Sequence, residues 1–341
     1  DHCKTSSFIN NKIDMNNKLG RVFNQKYHTG CTMTGNVIRN TNYENDDYGS
    51  GIHCPEKDSG YSSLRLSDSI FNNCKGKNPW IICIWNLFYD LEITNVTFEH
   101  CTHTSYGGYF FSITASKENP CLTFNKCIFQ YLASNSEAGG GIGLWFKYRD
   151  SDKHTITFKS SHFKGVRHES INGGGALCII PQSNNKPMTN SKTSFNINNC
   201  TFANDNTNGK GGAIYYEGDQ MITIFNSSFT NCVSSIDGHA IYIKKENVET
   251  ITISYCNFTD CGSVTNTFVA ALDVSYYVFS HNIITFTNRQ QSCGGVKAGR
   301  LMNHVYEGNL FHNIKNNQDY HMSCINEVTG LQYTYQIKIE K

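Results

Sequence analysis

A repeat of about 30 residues constrains this chain more than any other feature, because it runs through the whole length of 341 residues. Each repeat contains one bulky apolar residue, the anchor, and an Asn follows two or three positions later in most of them. Eleven such units can be aligned. Their anchors are Phe8, Ile38, Phe71, Phe98, Phe129, Phe163, Phe202, Phe229, Phe258, Phe286 and Phe311.

The residues before each anchor keep their chemical type. In one unit Ile222 and Ile224 stand seven and five positions before Phe229, and the small residue Ser227 stands two before it. The positions between them are mostly Thr, Asn, Ser and Lys. Apolar residues at a spacing of two are typical of a strand with one buried face, so each anchor is expected to end a short run of β-structure.

A glycine cluster followed by an apolar pair comes about ten residues after many of the anchors. Examples are Gly173-Gly174-Gly175-Ala176-Leu177, Gly211-Gly212-Ala213-Ile214 and Gly238-His239-Ala240-Ile241. Glycine at a fixed place in a repeat indicates a corner with positive φ or a close approach between neighbouring backbones.

These units predict an all-β chain, a right-handed parallel β-helix of about eleven coils, with right-handedness following the rule for parallel crossovers. Residues 1–330 are expected to form one domain. Residues 331–341 alternate apolar and polar side chains and predict a terminal strand that caps the last coil or pairs with another copy, which would allow head-to-tail filaments. An antiparallel sandwich remains an alternative.

The Gly-Gly-Ala-apolar motif together with the Phe-then-Asn motif resembles the repeats of the polymorphic membrane protein (Pmp) family of surface proteins. The resemblance rests on Gly175-Ala176-Leu177, Gly211-Gly212-Ala213-Ile214 and Gly238-His239-Ala240-Ile241, with the Phe-Asn units. Most units read Phe-x-Asn, whereas the family has Phe-x-x-Asn. The resemblance implies a right-handed β-helix with a surface or adhesive role.

The composition limits the classes of partner that we expect for this chain. The formal charge of +1 gives no reason to expect nucleic acid or an anionic membrane surface, and no segment reaches the roughly 20 apolar residues that span a bilayer. We expect other surface proteins, glycans or further copies of the chain as partners, and no cofactor. The 15 cysteines are an odd number, so at least one thiol is unpaired within the chain.

Two short motifs suggest enzyme chemistry but lack the required context. Gly209-Lys210-Gly211-Gly212 does not fit a phosphate-binding loop, since no Ser or Thr follows the lysine and no helix pattern begins there. Asp237-Gly238-His239 resembles part of a polygalacturonase signature, but its companion elements are missing and no paired carboxylates are evident. We therefore predict no catalytic residues.

His100-Cys101-Thr102-His103 contains three residues, two His and one Cys, of types that bind zinc. A structural zinc site needs four ligands at suitable spacing, and the neighbouring units supply Cys74 on one side and Leu132 on the other. The set is incomplete, so no metal site is predicted.

Cysteines recur three residues after the anchor. Cys74 and Cys101 fall on consecutive units, as do Cys232 and Cys261. Stacked Cα atoms about 4.8 Å apart suit a disulfide, so both pairs are candidate disulfides in an oxidising compartment. A buried thiol in place of a small apolar residue is the alternative.

Four Asn-x-Ser/Thr sequons, at Asn95, Asn199, Asn226 and Asn257, lie one or three residues before an anchor, where side chains are expected to face outward. We call them glycosylation candidates. Outward Asn residues that simply solvate a strand are the alternative.

The sequence thus favours a non-enzymatic structural or adhesive protein, extracellular or at the cell surface. A polysaccharide-active lyase or hydrolase, or a glycan-binding protein, on the same scaffold is the alternative. An intracellular scaffold with free thiols is a third possibility.

Overall fold

The structure is a computed structural model. It describes residues 5–17, 23–24, 30–43, 52–54, 62–76, 82–103, 111–115, 121–134, 142–147, 155–169, 173–182, 194–218, 221–244, 250–262, 269–272, 276–287, 296–298, 303–312, 321–325 and 332–336. The regular structure in these residues is all β-strand, and the strands stack in four ladders that each coil of chain visits in turn.

The first two ladders hold the strands on either side of the first turn of each coil. Ladder I contains Thr5–Ile9, Gly30–Thr34, Ser62–Ser67, Ile82–Thr94, Cys121–Asn125, Thr155–Lys159, Ser194–Asn198, Met221–Phe225, Thr250–Ser254, Tyr276–Ser280 and Asn303–Glu307. Ladder II contains Lys12–Asp14, Val37–Arg39, Ile70–Asn72, Thr97–Glu99, Ile128–Gln130, His162–Lys164, Thr201–Ala203, Ser228–Thr230, Asn257–Thr259, Ile283–Thr285 and Leu310–His312.

The other two ladders complete the coil. Ladder III contains Asn42–Tyr43, Lys75–Gly76, Thr102–His103, Ala133–Ser134, Arg167–His168, Asn206–Thr207 and Val233–Ser234. Ladder IV contains Phe23–Asn24, Ile52–Cys54, the first part of Ile82–Thr94, Phe111–Ala115, Ile142–Lys147, Leu177–Gln182, Ile214–Glu217, Ile241–Lys244, Val269–Leu272, Val296–Ala298, His321–Ile325 and Gln332–Gln336.

The strand pairing makes the chain a parallel β-solenoid. Ladders I and IV share the long strand Ile82–Thr94 and so form one 22-stranded sheet, while ladder II is an 11-stranded sheet and ladder III a 7-stranded sheet. Among the described strands, the one antiparallel pair joins Gln332–Gln336 to His321–Ile325. The predicted all-β parallel solenoid is therefore confirmed.

The number of coils differs from the prediction. Seven stacked strands in ladder III enclose six intervals, so the part of the chain in which all four ladders are described makes about six complete turns. Eleven coils is too high as a count of complete turns, although ladder II contains eleven strands. Each anchor identifies one strand of ladder II, and such a strand forms only one side of a coil. The number of anchors is therefore not the number of complete turns.

Two of the predicted anchors are out of register. Phe8 lies in ladder I opposite Met33, and Ile13 is the residue that pairs with the anchor Ile38. Likewise Ile284, not Phe286, pairs with Phe258. Aromatic size suggested the wrong residue in both coils, whereas the register is set by the backbone hydrogen bonds to the neighbouring coil.

Two tight turns flank each ladder II strand, and each contains one residue in the left-handed region. The first turn lies between ladders I and II, and the second between ladders II and III. The first-turn residues with φ between 47° and 67° are Asn10, Gly35, Asp68, Asn95, Lys126, Ser160, Asn199, Asn226, Tyr255, His281 and Gly308. The second-turn residues include Asn40, Asn73, His100, Tyr131, Gly165, Asn204, Asn231 and Asp260. Asn, Asp and Gly tolerate this conformation best, which explains the Asn that follows many anchors.

The anchors stack in the core as an aromatic column. The ring centroids of Phe163 and Phe202 lie 4.5 Å apart with planes 5° from parallel, and Phe202 and Phe229 lie 4.9 Å apart at 3°. These rings are almost fully buried. Their spacing follows the distance between stacked strands, so each coil fixes the ring position of the next.

The residue after most left-handed residues of the first turn is buried, and its side chain often bonds to the preceding coil. The side-chain carbonyl of Asn282 accepts a hydrogen bond from the backbone NH of Cys256 at 2.8 Å, and its amide donates to the carbonyl of Ile253 at 3.1 Å. Ser161 and Ser227 use their hydroxyls in the same column to accept from Cys127 and Cys200. These bonds satisfy backbone donors that the turn leaves out of the ladders.

The predicted glycine corner brings neighbouring backbones into contact. Gly175, Gly212 and His239 occupy equivalent places in consecutive coils, so His239 lies where the other two coils have glycine. A Cβ atom on Gly175 would lie 1.9 Å from the carbonyl oxygen of Gly212, and one on Gly212 would lie 2.1 Å from the carbonyl oxygen of His239. Close approach, rather than positive φ, is the reason for glycine at these two positions.

We expect Gly212→Ala to destabilise the solenoid by about 2–4 kcal/mol, because the added methyl group meets backbone atoms that cannot move independently of the neighbouring coil. Chemical denaturation measured by circular dichroism would give the change in the free energy of unfolding.

Gly165→Asn is the matched control. Gly165 has a φ of 62°, and an added Cβ meets only the ring of Tyr131, at 3.0 Å. Asn occupies the equivalent place at Asn204 and Asn231. A cost below about 1 kcal/mol is therefore expected for this variant. Equal costs for both variants would contradict the role given to close approach at Gly212.

Candidate functional site

The buried column that follows the second turn contains four cysteines and an aspartate. Its members are Thr41, Cys74, Cys101, Leu132, Val166, Asp205, Cys232 and Cys261. Each follows a left-handed residue, so the backbone points the side chain inward at the same place in every coil. The sequence predicted this column from its spacing and read the cysteines as the notable members.

The two predicted cysteine pairs are neighbours in the structure. The carbonyl of Cys74 accepts a hydrogen bond from the NH of Thr102 at 3.0 Å, so Cys74 and Cys101 lie on directly stacked turns, and their thiols interact. Cys232 and Cys261 are arranged likewise. All four are free thiols here, and burial raises the pKa of Cys101 and of Cys232. The protonated thiols of Cys101 and Cys232 are poor nucleophiles while the coil is folded, and the disulfides remain a prediction.

Three further buried cysteines share another column but are not adjacent to one another in it. Cys127, Cys200 and Cys256 lie in the first-turn column, where Ser161 separates the first two and Ser227 the last two. Two coils of separation is about 9.6 Å, which exceeds the range that a disulfide accepts. Burial raises the pKa of the Cys127 thiol to about 12, so this column also holds protonated thiols.

We expect protein secreted through an oxidising compartment to contain disulfides Cys74–Cys101 and Cys232–Cys261, because each pair has stacked Cα atoms and touching thiols. Denaturation with an alkylating reagent under non-reducing conditions, followed by peptide mass mapping, would detect both linkages. Cys127 and Cys200 are the internal control and should be alkylated. Alkylation of all four paired cysteines would show that the pairs stay reduced.

Asp205 is a buried carboxyl group that sequence reasoning did not single out. It is fully buried, and its Oδ1 accepts a hydrogen bond from the NH of Val166 at 2.9 Å. Its Oδ2 has no hydrogen-bond partner among the described residues. Burial raises the pKa well above the ordinary 3.8, so the acid is uncharged in the core. An acid in a column of apolar residues and thiols was the signal available in the sequence.

His168 is the second buried titratable group that the sequence analysis missed. It lies in ladder III, opposite Ser134 on one side and Thr207 on the other. Neither ring nitrogen has a hydrogen-bond partner among the described residues, and the Ser134 hydroxyl is also unpartnered there. Burial lowers the pKa of His168 to about 4, so the ring is neutral.

These two groups predict opposite pH effects. The native state binds the Asp205 proton more tightly than the unfolded state does, so stability falls as the pH rises from about 4 towards the native pKa, by about 1.4 kcal/mol per pH unit. Asp205→Asn should remove this loss and be more stable than the parent at pH 7. Urea unfolding between pH 3.5 and 8 would measure it.

His168 acts in the other direction, because its native pKa is depressed from 6.5 to about 4. The stability that the neutral His168 ring contributes to the folded state is fully present above pH 6.5 and is lost as the pH falls towards 4. This acid-side loss should persist in Asp205→Asn and disappear in His168→Gln. If the Asp205→Asn protein showed the same slope as the parent at neutral pH, the carboxyl would be ionised in the native state.

The glycine run 209–212 is a structural corner with a partner for its lysine. The Lys210 Nζ lies 4.6 Å from the centre of the Tyr242 ring and 3.0 Å from its hydroxyl oxygen. The ring of Tyr242 stacks on Tyr215 at 5.7 Å, and Cys178 completes this cluster on the outer face of ladder IV. The Lys210 ammonium group therefore makes a cation–π contact with the Tyr242 ring.

The Asp237-Gly238-His239 motif forms the equivalent corner in the next coil. His239 is buried, and its Nδ1 accepts a hydrogen bond from the NH of Ser234 at 3.1 Å. The Asp237 carboxylate accepts from the NH of Gly238 at 2.9 Å. Both side chains hold the local backbone, and the buried imidazole is not presented to a substrate at the surface.

The zinc-like stretch is also divided by the fold. The ring of His100 is exposed and stacks on Tyr131 at 5.1 Å, while Cys101 points into the core. Within the described ranges, no three His, Cys, Asp or Glu side chains come together as metal ligands.

The four sequon residues are exposed, but their environments differ. Asn95, Asn199 and Asn226 are left-handed first-turn residues whose amides donate to Asp68 at 2.7 Å, to Ser160 at 3.1 Å and to Asn199 at 3.5 Å. Asn257 instead begins a ladder II strand, and in the described part of the chain its side chain has no hydrogen bond. Spacing alone did not distinguish Asn257 from the other three.

An exposed apolar strip surrounds Asn257 and was not predicted. Tyr255 stacks on His281 at 4.9 Å, and Phe225 meets Tyr255 edge-on at 5.3 Å. Ile283 and Leu310 lie beside them in ladder II. The exposed fraction is 52% for Tyr255, 40% for Phe225 and 42% for Leu310. We call these five residues the aromatic strip.

Two further aromatic pairs, Tyr215-Tyr216 and Trp145-Phe146, lie in strands of ladder IV. Tyr216 is fully buried in the core and Tyr215 belongs to the outer cluster with Tyr242. Trp145 and Phe146 lie in a ladder IV strand, and their side chains are outside the described part.

The chain matches no protein family, no curated protein and no solved structure at a significant level. Among the residues that the structure describes, no helix has the length and apolar character needed to cross a membrane. The Pmp resemblance therefore remains an inference from the repeat motifs.

Proposed function

We propose that this chain is a non-enzymatic structural or adhesive module, extracellular or at a cell surface, built as a right-handed parallel β-helix of the kind that the Pmp-like repeats suggest. The observation that carries the proposal is the continuous register of the core. Eleven stacked ladder II strands span about 50 Å at the usual strand spacing. A rod of this length sets a fixed distance between two attachment points, which suits a surface module.

The outer surface supports the same role. Amide side chains on the turns bond to the equivalent side chains one coil away, as Asn73 does to Asn40 at 2.7 Å and Asn231 to Asn204 at 3.3 Å. Such neutral polar ladders keep a long sheet soluble without a strong charge of either sign, which fits the net charge of +1. A polar surface with a net charge near zero is compatible with other surface proteins, glycans or further copies as partners.

The buried chemistry also fits a scaffold. The cysteines of the two turn columns, Asp205 and His168 face the core, where they pack against neighbouring coils rather than against a substrate. A lyase or hydrolase on this scaffold would need acidic and basic side chains aligned on an open face. The Asp237 and His239 side chains, the best sequence match to such chemistry, are bonded to the backbone of their own corner.

Antibodies raised against the folded chain would test the proposed location. Intact cells of the source organism should be labelled without permeabilisation, and the same cells treated with an external protease should lose the label. An antibody against a cytosolic protein is the control for intact membranes. Labelling that requires permeabilisation would refute a surface role.

Activity on polysaccharides separates the alternative. The purified chain, incubated with pectic, chitinous and glucan polymers, should release neither new reducing ends nor unsaturated products. Release that is lost in Asp237→Asn would favour an enzyme.

A further inference from the structure

We propose that Asn257 carries an N-linked glycan whose first N-acetylglucosamine packs on the aromatic strip. The proposal rests on the surface role proposed above, since this modification is made in the secretory pathway. It assigns an occupant to the aromatic strip, which lies beside the Asn257 sequon.

The geometry places the sugar at the strip. Asn257 is the register partner of Ile283 in ladder II, so the two Cα atoms are one strand spacing apart, and Leu310 follows in the next coil. Tyr255 precedes Asn257 by two residues at the same turn and is half exposed. A sugar attached to the Asn257 amide therefore begins within a few ångströms of an aromatic edge and an aliphatic side chain.

The free amide of Asn257 is the second observation. In the described part of the chain its side chain has no hydrogen bond, whereas the amides of Asn95 and Asn199 donate to neighbouring side chains. Attachment of a sugar at Asn257 thus breaks no bond of the folded protein. The strand conformation also points the side chain away from the core.

The surroundings of Asn95 provide the contrast. Its equivalent residues in the neighbouring coils are Asp68 and Lys126, both charged. A sugar at Asn95 finds no apolar surface there and competes with the 2.7 Å bond to Asp68. Exposed rings and aliphatic side chains gain stability when they are covered by the apolar face and acetyl methyl of a sugar, and charged side chains do not.

The glycosylation reaction transfers the sugar from a lipid carrier to the Asn257 side chain. A bond forms between the Asn257 side-chain nitrogen and C1 of the sugar, and the bond from C1 to the lipid diphosphate carrier breaks. The carrier leaves with the electron pair, and the amide nitrogen loses one proton. The oligosaccharide on its lipid diphosphate is the co-reactant, and the Thr259 hydroxyl completes the acceptor sequence.

The test uses forced secretion of the full chain from a eukaryotic cell line, which makes the result independent of where the protein resides naturally. Glycopeptide mass spectrometry should show Asn257 occupied. After trimming to a single N-acetylglucosamine, the protein should melt about 2 °C or more above the Thr259→Val variant, which lacks this sequon but keeps Asn257.

Tyr255→Asn separates packing on the strip from a general effect of glycosylation. The substitution keeps a residue suited to the left-handed turn, as Asn226 shows one coil away. In this background the glycan at Asn257 should raise the melting temperature far less. Thr97→Val, which removes the Asn95 sequon, should leave the melting temperature unchanged or raise it.

Two results would overturn the proposal. One is an unmodified Asn257 in secreted, folded protein whose other sequons are occupied. The other is an equal effect of the glycan with and without the Tyr255 ring. A surface role could fail, through purely intracellular labelling of natural cells, while the forced-secretion result still stood, so the two failures are distinguishable.

Discussion

Every coil of this protein depends on parallel register with its neighbour. Each ladder strand bonds to the strand one coil away, so a side chain finds its equivalent above and below it. This single constraint stacks Phe163 on Phe202 at 4.5 Å and lines up the glycines of the corner. It also means that a residue is acceptable only if the same position in the adjacent coils can accommodate it.

The two left-handed turns maintain that register. Each turn rotates the chain with one residue of positive φ and then buries the next side chain, as in Asn226 followed by Ser227. After the first turn, the buried residue is small or satisfies a backbone NH, as Asn282 does by accepting a 2.8 Å hydrogen bond from the NH of Cys256. This first-turn column therefore contains Cys, Ser, Val and Asn, and cysteine is frequent because it is small and tolerates burial.

The same stacking rule explains why the notable chemistry lies inside. Asp205 and His168 both lie in columns of buried side chains, and burial keeps both uncharged. On the outside, stacking produces short amide ladders such as Asn40–Asn73 and Asn204–Asn231, and an aromatic strip near Tyr255. The glycan proposal gives the strip an occupant.

The sequence alone predicted the class of fold, because a repeat with strand periodicity, an Asn turn and a glycine corner favours stacked coils over an antiparallel sandwich. It also located the cysteine columns, since spacing from the anchor fixes which side faces inward. The tertiary structure decided the register at Phe8 and Phe286, the number of complete turns and the difference between Asn257 and the other sequons. Those depend on which backbone hydrogen bonds form between coils and on which side chains meet across them, and a repeat pattern does not encode the neighbours of a single position.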